Sequence, residues 1–186
     1  MGASHPRWTA ATLVVSAIAA VALSACASEQ SAALPPARVG AATDDPARAE
    51  AAEAALAAYA GYLAAAEEAE HEADPQHPDL KKYLADPLLT RVRLAIRDTK
   101  EHGAMRTGSL ISDPTVTEVN LDSVPATVVI QDCLDATNYQ LVYVDDRDKV
   151  VPGTEVGRYL ATATATRYDD GRWLISAGSS HPDQPC

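Results

Sequence analysis

The segment that decides the fold is residues 158–178, which read RYLATATATRYDDGRWLISAG. Small or apolar side chains alternate with polar ones through 158–168, which is the two-residue period of a half-buried strand. Asp170-Gly171 is a strong signal for a tight hairpin turn, and the residues after it again suit a strand. The segment therefore predicts two antiparallel strands, at about 158–168 and 172–178, joined at Asp170-Gly171.

The two-residue period extends upstream as far as about Met105. Valine, threonine, isoleucine and tyrosine are frequent there, and these residue types suit a pleated, half-buried surface. We expect further strands at about 106–111, 115–122, 126–134 and 139–145, with a turn at Asp145–Asp148.

Before Met105 the sequence has the pattern of helices. Asp45-Pro46 and Asp86-Pro87 each offer an aspartate N-cap followed by a proline at the first helical position. The first helix is expected to end near Ala73 and the second near Gly103, with a short helical turn from Pro78 between them. The spacing of apolar residues predicts buried faces made of Ala52, Leu56, Tyr59, Leu63 and Ala66 in the first helix and Leu88, Leu89, Val92, Ala95 and Ile96 in the second.

Helices followed by an antiparallel meander predict an α+β fold, in which N-terminal helices pack on a bent antiparallel sheet. This order resembles the NTF2-like domains, which are cone-shaped α+β domains; a cystatin-like arrangement is the alternative. Because NTF2-like domains include isomerases, dehydratases, transport proteins and scaffolds, the resemblance implies a fold and leaves the function open. The segments that carry the resemblance, within roughly residues 45–186, are the helices from Asp45 and Asp86, Ala126–Asp135, Tyr159–Tyr168 and Asp170–Ile175.

Residues 1–25 predict a signal peptide, because a short region with Arg7 precedes an apolar stretch of about 15 residues. The stretch is short for a membrane span, which needs roughly 20 residues.

The segment ends in Leu23-Ser24-Ala25-Cys26, which resembles the lipobox of bacterial lipoproteins. The resemblance implies that the Cys26 thiol receives a diacylglycerol, that cleavage occurs before Cys26, and that the new N-terminus is often acylated, with palmitate among the chains. It also implies a location at the outer face of the bacterial cytoplasmic membrane. An ordinary signal peptide or an uncleaved anchor helix is the alternative. Residues 26–44 are then a lipidated, flexible tether, and residues 45–186 form the domain.

The chain has three cysteines, and assigning Cys26 to the lipid leaves Cys133 and Cys186. Outside the cytoplasm, an even pair of leftover cysteines is expected to be oxidised. A reactive thiol needs an electropositive site, whereas Cys133 lies between Asp132 and Asp135. We therefore predict a structural disulfide between Cys133 and Cys186.

The formal charge of −11 argues against nucleic-acid binding, which needs clustered lysine and arginine, and against a polybasic membrane patch. The sequence contains no Ser-His-Asp order, phosphate-binding loop, CxxC or HExxH motif. These features favour a non-enzymatic domain that binds an envelope protein or a small apolar ligand. We expect neither a cofactor nor a metal ion.

Asp132 is the sharpest catalytic candidate, because it shares a strand face with Val128, Ile130 and Leu134. NTF2-like isomerases use an inward aspartate as general base beside a hydroxyl that stabilises the enolate oxygen, so the resemblance implies an alternative function as an isomerase or lyase. Tyr139 or Tyr143 is the first choice for that hydroxyl, and Tyr59 and Tyr62 are further ones. The structural alternative is an aspartate held by backbone amides or by an arginine such as Arg167.

Two clusters of charged residues are further candidate binding sites. Glu67, His71 and Asp74 have helical spacing that suits weak capture of a divalent cation, although an acidic, solvated helix end explains the same residues. A basic stripe, consisting of Arg91, Arg93, Arg97 and Lys100, is expected to pair with acidic residues of neighbouring elements rather than to dock an anionic partner.

Overall fold

The computed structural model describes residues 45–186; the predicted signal peptide, the lipobox with Cys26, and the tether lie outside the described residues. This part of the chain contains three helices followed by seven strands, so the predicted α+β class is confirmed. The helices are α1 (Pro46–His71), α2 (Leu80–Tyr83) and α3 (Leu88–Glu101). The strands are β1 (Ala104–Thr107), β2 (Pro114–Asn120), β3 (Thr127–Asp135), β4 (Gln140–Tyr143), β5 (Asp146–Val150), β6 (Arg158–Arg167) and β7 (Trp173–His181).

The strands form two antiparallel sheets where the sequence predicted one bent sheet. The larger sheet has the order β2-β3-β6-β7 and the smaller one the order β1-β4-β5. The strand predicted at 106–111 ends at Thr107, because the chain turns at Gly108, which has φ +86°. A Cβ at Gly108 would lie 1.7 Å from the Asn138 carbonyl oxygen, so only glycine permits this close approach.

The hairpin predicted from Asp170-Gly171 is confirmed. Arg167 pairs with Trp173 at the base of the turn, and Gly171 has φ +83°. The last strand extends beyond its predicted end, to His181, which pairs with Leu160. The turn predicted at Asp145–Asp148 occupies only Val144-Asp145 in the structure, and Asp146 begins β5.

The N-terminal helix starts where the sequence predicts and packs its alanine-rich side against the larger sheet. Asp45 caps it by accepting a hydrogen bond from the Ala47 amide at 3.0 Å. The helix ends at His71, shortly before the expected Ala73. The buried positions of α1 are Ala51, Ala55, Ala58, Tyr59, Leu63, Ala65 and Ala69. Of the residues predicted to be buried, Tyr59 and Leu63 are buried, whereas Ala52, Leu56 and Ala66 are only half-buried.

The third helix is less deeply packed. Leu88 and Ile96 are buried as predicted, whereas Ala95 is exposed. Asp86 accepts hydrogen bonds from the amide and hydroxyl of Thr90 at 3.2 and 2.6 Å, and the helix begins at Leu88, slightly later than predicted. Among residues 45–186, no helix combines the length and the apolar character that crossing a bilayer requires.

The predicted disulfide is confirmed: Cys133 in β3 is bonded to Cys186, with the two Cα atoms 5.8 Å apart. This separation lies within the usual range for disulfides. The bond attaches the C-terminal residue of the chain to the central strand pair β3–β6.

Candidate functional site

A cavity of about 440 Å³ lies between α1, α3 and the inward face of the larger sheet. Its volume falls within the range of small-molecule sites. The solvent-exposed Arg91 and Ala95 of α3 form part of its rim. The other residues that line it are Tyr59, Tyr62, Leu63, Leu88, Val92, Leu134, Ala161, Thr162, Ala163, Gly178, Ser179 and Ser180.

The cavity exists because the sheet presents small residues to it. Ala161 pairs with Ser180 and Ala163 pairs with Gly178, so these four positions face the same side of β6 and β7. Alanine, glycine and serine leave volume that leucine or isoleucine would fill. On the helix side, the apolar side chains of Leu63, Leu88 and Val92 line the cavity together with Tyr62 and Arg91. The result is a concave surface that exposes polar and apolar atoms in comparable amounts.

Two polar side chains stand out at the cavity. The Arg91 guanidinium donates a hydrogen bond through Nη2 to the Gly178 carbonyl oxygen at 2.9 Å. The Tyr62 hydroxyl makes no hydrogen bond to another residue within 45–186. Burial raises the pKa of the Tyr62 phenol to about 12; the Glu70 carboxylate adds to this rise and Arg91 opposes it.

Asp132, the predicted catalytic base, is buried beside this cavity and is not among the residues that line it. Only 1% of its surface is exposed. Its carboxylate accepts three hydrogen bonds, from the Tyr59 hydroxyl at 2.9 Å, the Ser112 hydroxyl at 2.7 Å and the Asp113 amide at 2.7 Å. Burial raises the pKa of the Tyr59 phenol well above its usual range, and the Asp132 carboxylate raises it further.

These contacts give Asp132 a structural role. They link α1 to β3 and to the segment that leads into β2, and they use both carboxylate oxygens. The geometry matches the structural alternative raised by the sequence, with a backbone amide and two hydroxyls as donors instead of Arg167. Sequence reasoning missed Ser112, which belongs to a loop with no apolar period.

The tyrosines predicted to accompany Asp132 lie elsewhere, so that pairing was wrong. The Tyr139 hydroxyl donates to the Glu70 carboxylate at 2.6 Å, because the turn after β3 carries Tyr139 to the C-terminal end of α1. Tyr143 belongs to the smaller sheet, where the Lys149 ammonium lies 5.2 Å from its ring centroid. Of the four tyrosines considered, Tyr59 is the one whose hydroxyl donates to Asp132.

A second polar group was missed in the sequence. Glu70 accepts from Tyr139 and forms an ion pair with Arg106, whose Nε lies 3.3 Å from the carboxylate. Burial raises the pKa of Glu70 above its usual range, although the Tyr139 bond and Arg106 oppose this effect. Burial, and after it the Glu70 carboxylate, raise the pKa of Tyr139. The signal for Glu70 is its spacing from Leu63 and Ala66, which places it on the inward side of α1.

The Glu70–Arg106 pair lines a second cavity, of about 220 Å³. This cavity adjoins the first, since both are lined by Tyr62, Leu63, Leu134 and Ser180. The Glu70–Arg106 ion pair therefore lies next to the first cavity, in the cavity that adjoins it.

The acidic residues Glu67 and Asp74 accept hydrogen bonds from backbone amides, and the basic stripe lacks the ion pairs predicted for it. Glu67 accepts from the Leu110 amide at 2.7 Å, and Asp74 accepts from the Gln76 amide at 2.8 Å. No group of three or more potential metal ligands is found within residues 45–186. In the same part of the chain, the residues of the basic stripe (Arg91, Arg93, Arg97 and Lys100) form none of the ion pairs predicted for them.

Comparison with known proteins gives a likeness in fold. No protein family and no curated protein matches the sequence of this chain. Among solved structures, the chain is similar to the crystal structure of the intermembrane space region of the chloroplast protein ARC6, with a TM-score of 0.50 and 16% sequence identity. The match covers 69% of this chain and 95% of the ARC6 chain. This likeness shows a shared fold, and the NTF2-like assignment stays a prediction.

Proposed function

We propose that this protein is an extracytoplasmic lipoprotein, anchored through Cys26, whose domain binds a small apolar ligand without catalysing a reaction. The observation that carries the binding function is the cavity between α1, α3 and the larger sheet. Its volume of about 440 Å³ suits a small molecule, and its walls offer leucine, valine and alanine side chains to the apolar part of a ligand, beside tyrosine, serine, threonine and arginine. Transfer of apolar ligand surface from water into such a cavity supplies about 25 cal/mol per Å².

The position of Asp132 relative to the cavity favours ligand binding over catalysis. A general base must reach the proton that it abstracts, at hydrogen-bond distance or through one water. Asp132 is buried, already accepts three hydrogen bonds and does not line the cavity. The isomerase or lyase alternative therefore has no observation in its favour.

Two observations support the proposed location. The Cys133–Cys186 disulfide suits an oxidising compartment outside the cytoplasm. The structurally similar ARC6 region comes from an intermembrane space, which agrees with an extracytoplasmic position for a domain of this fold. Acylation of Cys26, with signal peptide 1–25 and tether 26–44, rests on the lipobox Leu23-Ser24-Ala25-Cys26.

Ligand binding is tested with a neutral apolar probe, 1-dodecanol, which displaces a fluorescent naphthylamine dye from the full chain bearing Cys26→Ser. Gly178→Val is the cavity-filling variant. A Cβ at Gly178 would lie 3.5 Å from Leu88 Cδ2 and 3.5 Å from the Thr162 carbonyl oxygen, both ordinary contact distances, so the substitution adds volume at the cavity wall beside Leu88. Ala177→Val is the matched control, because Ala177 is exposed in the same strand.

We expect dodecanol to bind the wild type and the Ala177→Val control, and to bind Gly178→Val at least about tenfold more weakly. Ala163→Leu fills the same cavity from β6 and provides a second variant should Gly178→Val fold poorly; circular dichroism verifies folding. Equal affinity for folded cavity-filled variants and for the control would remove the proposed site.

Lipid anchoring is tested separately by metabolic labelling with a palmitate analogue and by membrane fractionation. The wild-type chain should carry label and sediment with membranes, whereas Cys26→Ala should do neither. A Cys26→Ala chain that still carries label would contradict the lipobox assignment.

A further inference from the structure

We infer that the ligand is an amphiphilic anion, with its apolar chain in the cavity and its carboxylate or phosphate head at Arg91. This inference deepens the proposed function and rests on it: the cavity first has to bind an apolar molecule. It specifies that the ligand has an anionic head and an apolar chain, and that the head lies at Arg91. Groups at the cavity wall support each of these points.

Arg91 is a cation that is positioned without being neutralised. Its Nη2 is bonded to the Gly178 carbonyl oxygen on the opposite side of the cavity, in β7. A guanidinium has five N–H donors, so this bond orients the group and leaves the other donors for a ligand. Within residues 45–186 no acidic side chain forms an ion pair with Arg91. By contrast, Arg48 and Arg106 are paired with Asp45 and Glu70 respectively.

The head group follows from the geometry of arginine. The planar fork of a guanidinium matches carboxylate and phosphate oxygens, to which it can donate two parallel hydrogen bonds. The Tyr62 hydroxyl adds a neutral donor, since it has no partner within the described chain and burial raises the pKa of its phenol to about 12. An anion therefore finds a charged donor at the rim and an uncharged donor in the wall.

The orientation follows from what lies in the adjoining cavity. That second cavity shares Tyr62 and Leu63 with the first and is lined by the half-buried Glu70 carboxylate, which already has Arg106 as its cationic partner. A ligand anion there would lie beside a carboxylate whose cation is already engaged. The first cavity also presents Leu63, Leu134 and Ala161, which suit an alkyl chain. The head consequently stays at the rim and the chain points inward.

The test compares four probes with the same alkyl chain and different heads: dodecanoate, dodecyl phosphate, dodecanol and dodecylammonium. Each displaces the fluorescent dye from the full chain bearing Cys26→Ser, below its critical micelle concentration. Inorganic phosphate alone is a fifth arm, which separates a head-group site from an amphiphile site. The variant is Arg91→Gln, and Arg97→Gln is the matched control because Arg97 is an exposed arginine of the same helix that does not line the cavity.

We expect dodecanoate or dodecyl phosphate to bind the wild type about tenfold more tightly than dodecanol, as a charge-assisted hydrogen bond of ordinary strength provides. Dodecylammonium should bind more weakly than dodecanol. Arg91→Gln should remove the preference for the anion, because it should weaken dodecanoate and dodecyl phosphate about tenfold more than it weakens dodecanol. Arg97→Gln should leave the preference intact.

Three results would overturn the inference: equal affinity for dodecanol and both anions, an Arg91→Gln variant that weakens dodecanol as much as dodecanoate, or displacement of the dye by inorganic phosphate alone. All three are distinct from a failure of the proposed function, in which dodecanol itself would not bind or cavity filling would not affect it.

Discussion

The hydrogen bond between Tyr59 and Asp132 is expected to hold α1 on the larger sheet, and Tyr59→Phe tests this directly. The bond is 2.9 Å long, joins two buried side chains and spans 73 residues of sequence. Hydrogen bonds to charged groups contribute about 1.5–3 kcal/mol. Phenylalanine keeps the ring, and Asp132 retains its bonds from Ser112 and the Asp113 amide, so no buried group is left without a partner. We therefore expect Tyr59→Phe to lower the free energy of unfolding by about 1.5–3 kcal/mol.

The assay is urea unfolding followed by tryptophan fluorescence, to which the half-buried Trp173 of β7 contributes. A lower midpoint with an unchanged slope reports a change in stability alone. Tyr62→Phe is the matched control: it removes a hydroxyl from the same helix that has no hydrogen-bond partner within 45–186. We expect that control to change the unfolding free energy by less than about 0.5 kcal/mol.

A double-mutant cycle with Asp132→Asn isolates the pair. Because asparagine is a neutral acceptor, removal of the Tyr59 hydroxyl should have a smaller effect in that background, with a coupling energy of about 1 kcal/mol. The reasoning is refuted if Tyr59→Phe behaves like Tyr62→Phe, or if the effects of Tyr59→Phe and Asp132→Asn simply add.

Three further predictions concern other contacts. Replacing Cys133 and Cys186 by serine removes a link across 53 residues and should lower the free energy of unfolding by about 4 kcal/mol on the chain-entropy estimate; calorimetry that finds no loss would contradict it. Gly61→Ala would place a Cβ 2.3 Å from the Tyr83 ring, which is a steric clash. Alanine gains about 1 kcal/mol over glycine in helix propensity, but we expect the clash to outweigh this gain and to lower the free energy of unfolding by a net ~1–2 kcal/mol. Tyr83→Ala should rescue that variant, and a Gly61→Ala chain more stable than wild type would exclude the clash. Burial raises the pKa of Glu70 above the value of about 4.3 expected in the unfolded chain. Between these two pKa values the folded state binds more protons than the unfolded state. The contribution of Glu70 to the free energy of unfolding therefore falls as the pH rises through this window. The stability of Glu70→Gln relative to wild type should therefore increase with pH from about 4.3 upward in urea melts, and a pH-independent difference would contradict this sign.

Local signals predicted most of the secondary structure. Asp45-Pro46 predicted the start of α1, and Asp170-Gly171 predicted the final hairpin, because both act through the conformation of a few adjacent residues. The misses have physical reasons. Every side chain from Asp146 to Lys149 is exposed, so β5 shows no apolar alternation. The buried side of α1 is mostly alanine. Alanine is also common on the exposed side of this helix, so the sequence pattern did not distinguish the two sides.

The candidate site was predicted in part. The alternation in β3 correctly placed Asp132 on the inward face, where it is buried. Tyr59 was among the candidate hydroxyls but could not be singled out, and Ser112 was missed, because both lie far from Asp132 in the sequence. Sequence spacing gave no means of choosing among the four tyrosines considered.

The sequence alone determined the α+β class, the pairing of Cys133 with Cys186 and the expectation of a lipid anchor at Cys26, since these depend on local periodicity, on a cysteine count and on a short motif. Only the tertiary structure decided that Asp132 is buried with three hydrogen-bond donors and that the cavity has Arg91 at its rim. The reason is that a cavity is the volume left when elements distant in sequence pack together. Here the small residues of β6 and β7 create that volume, and α3 brings a cation to its edge.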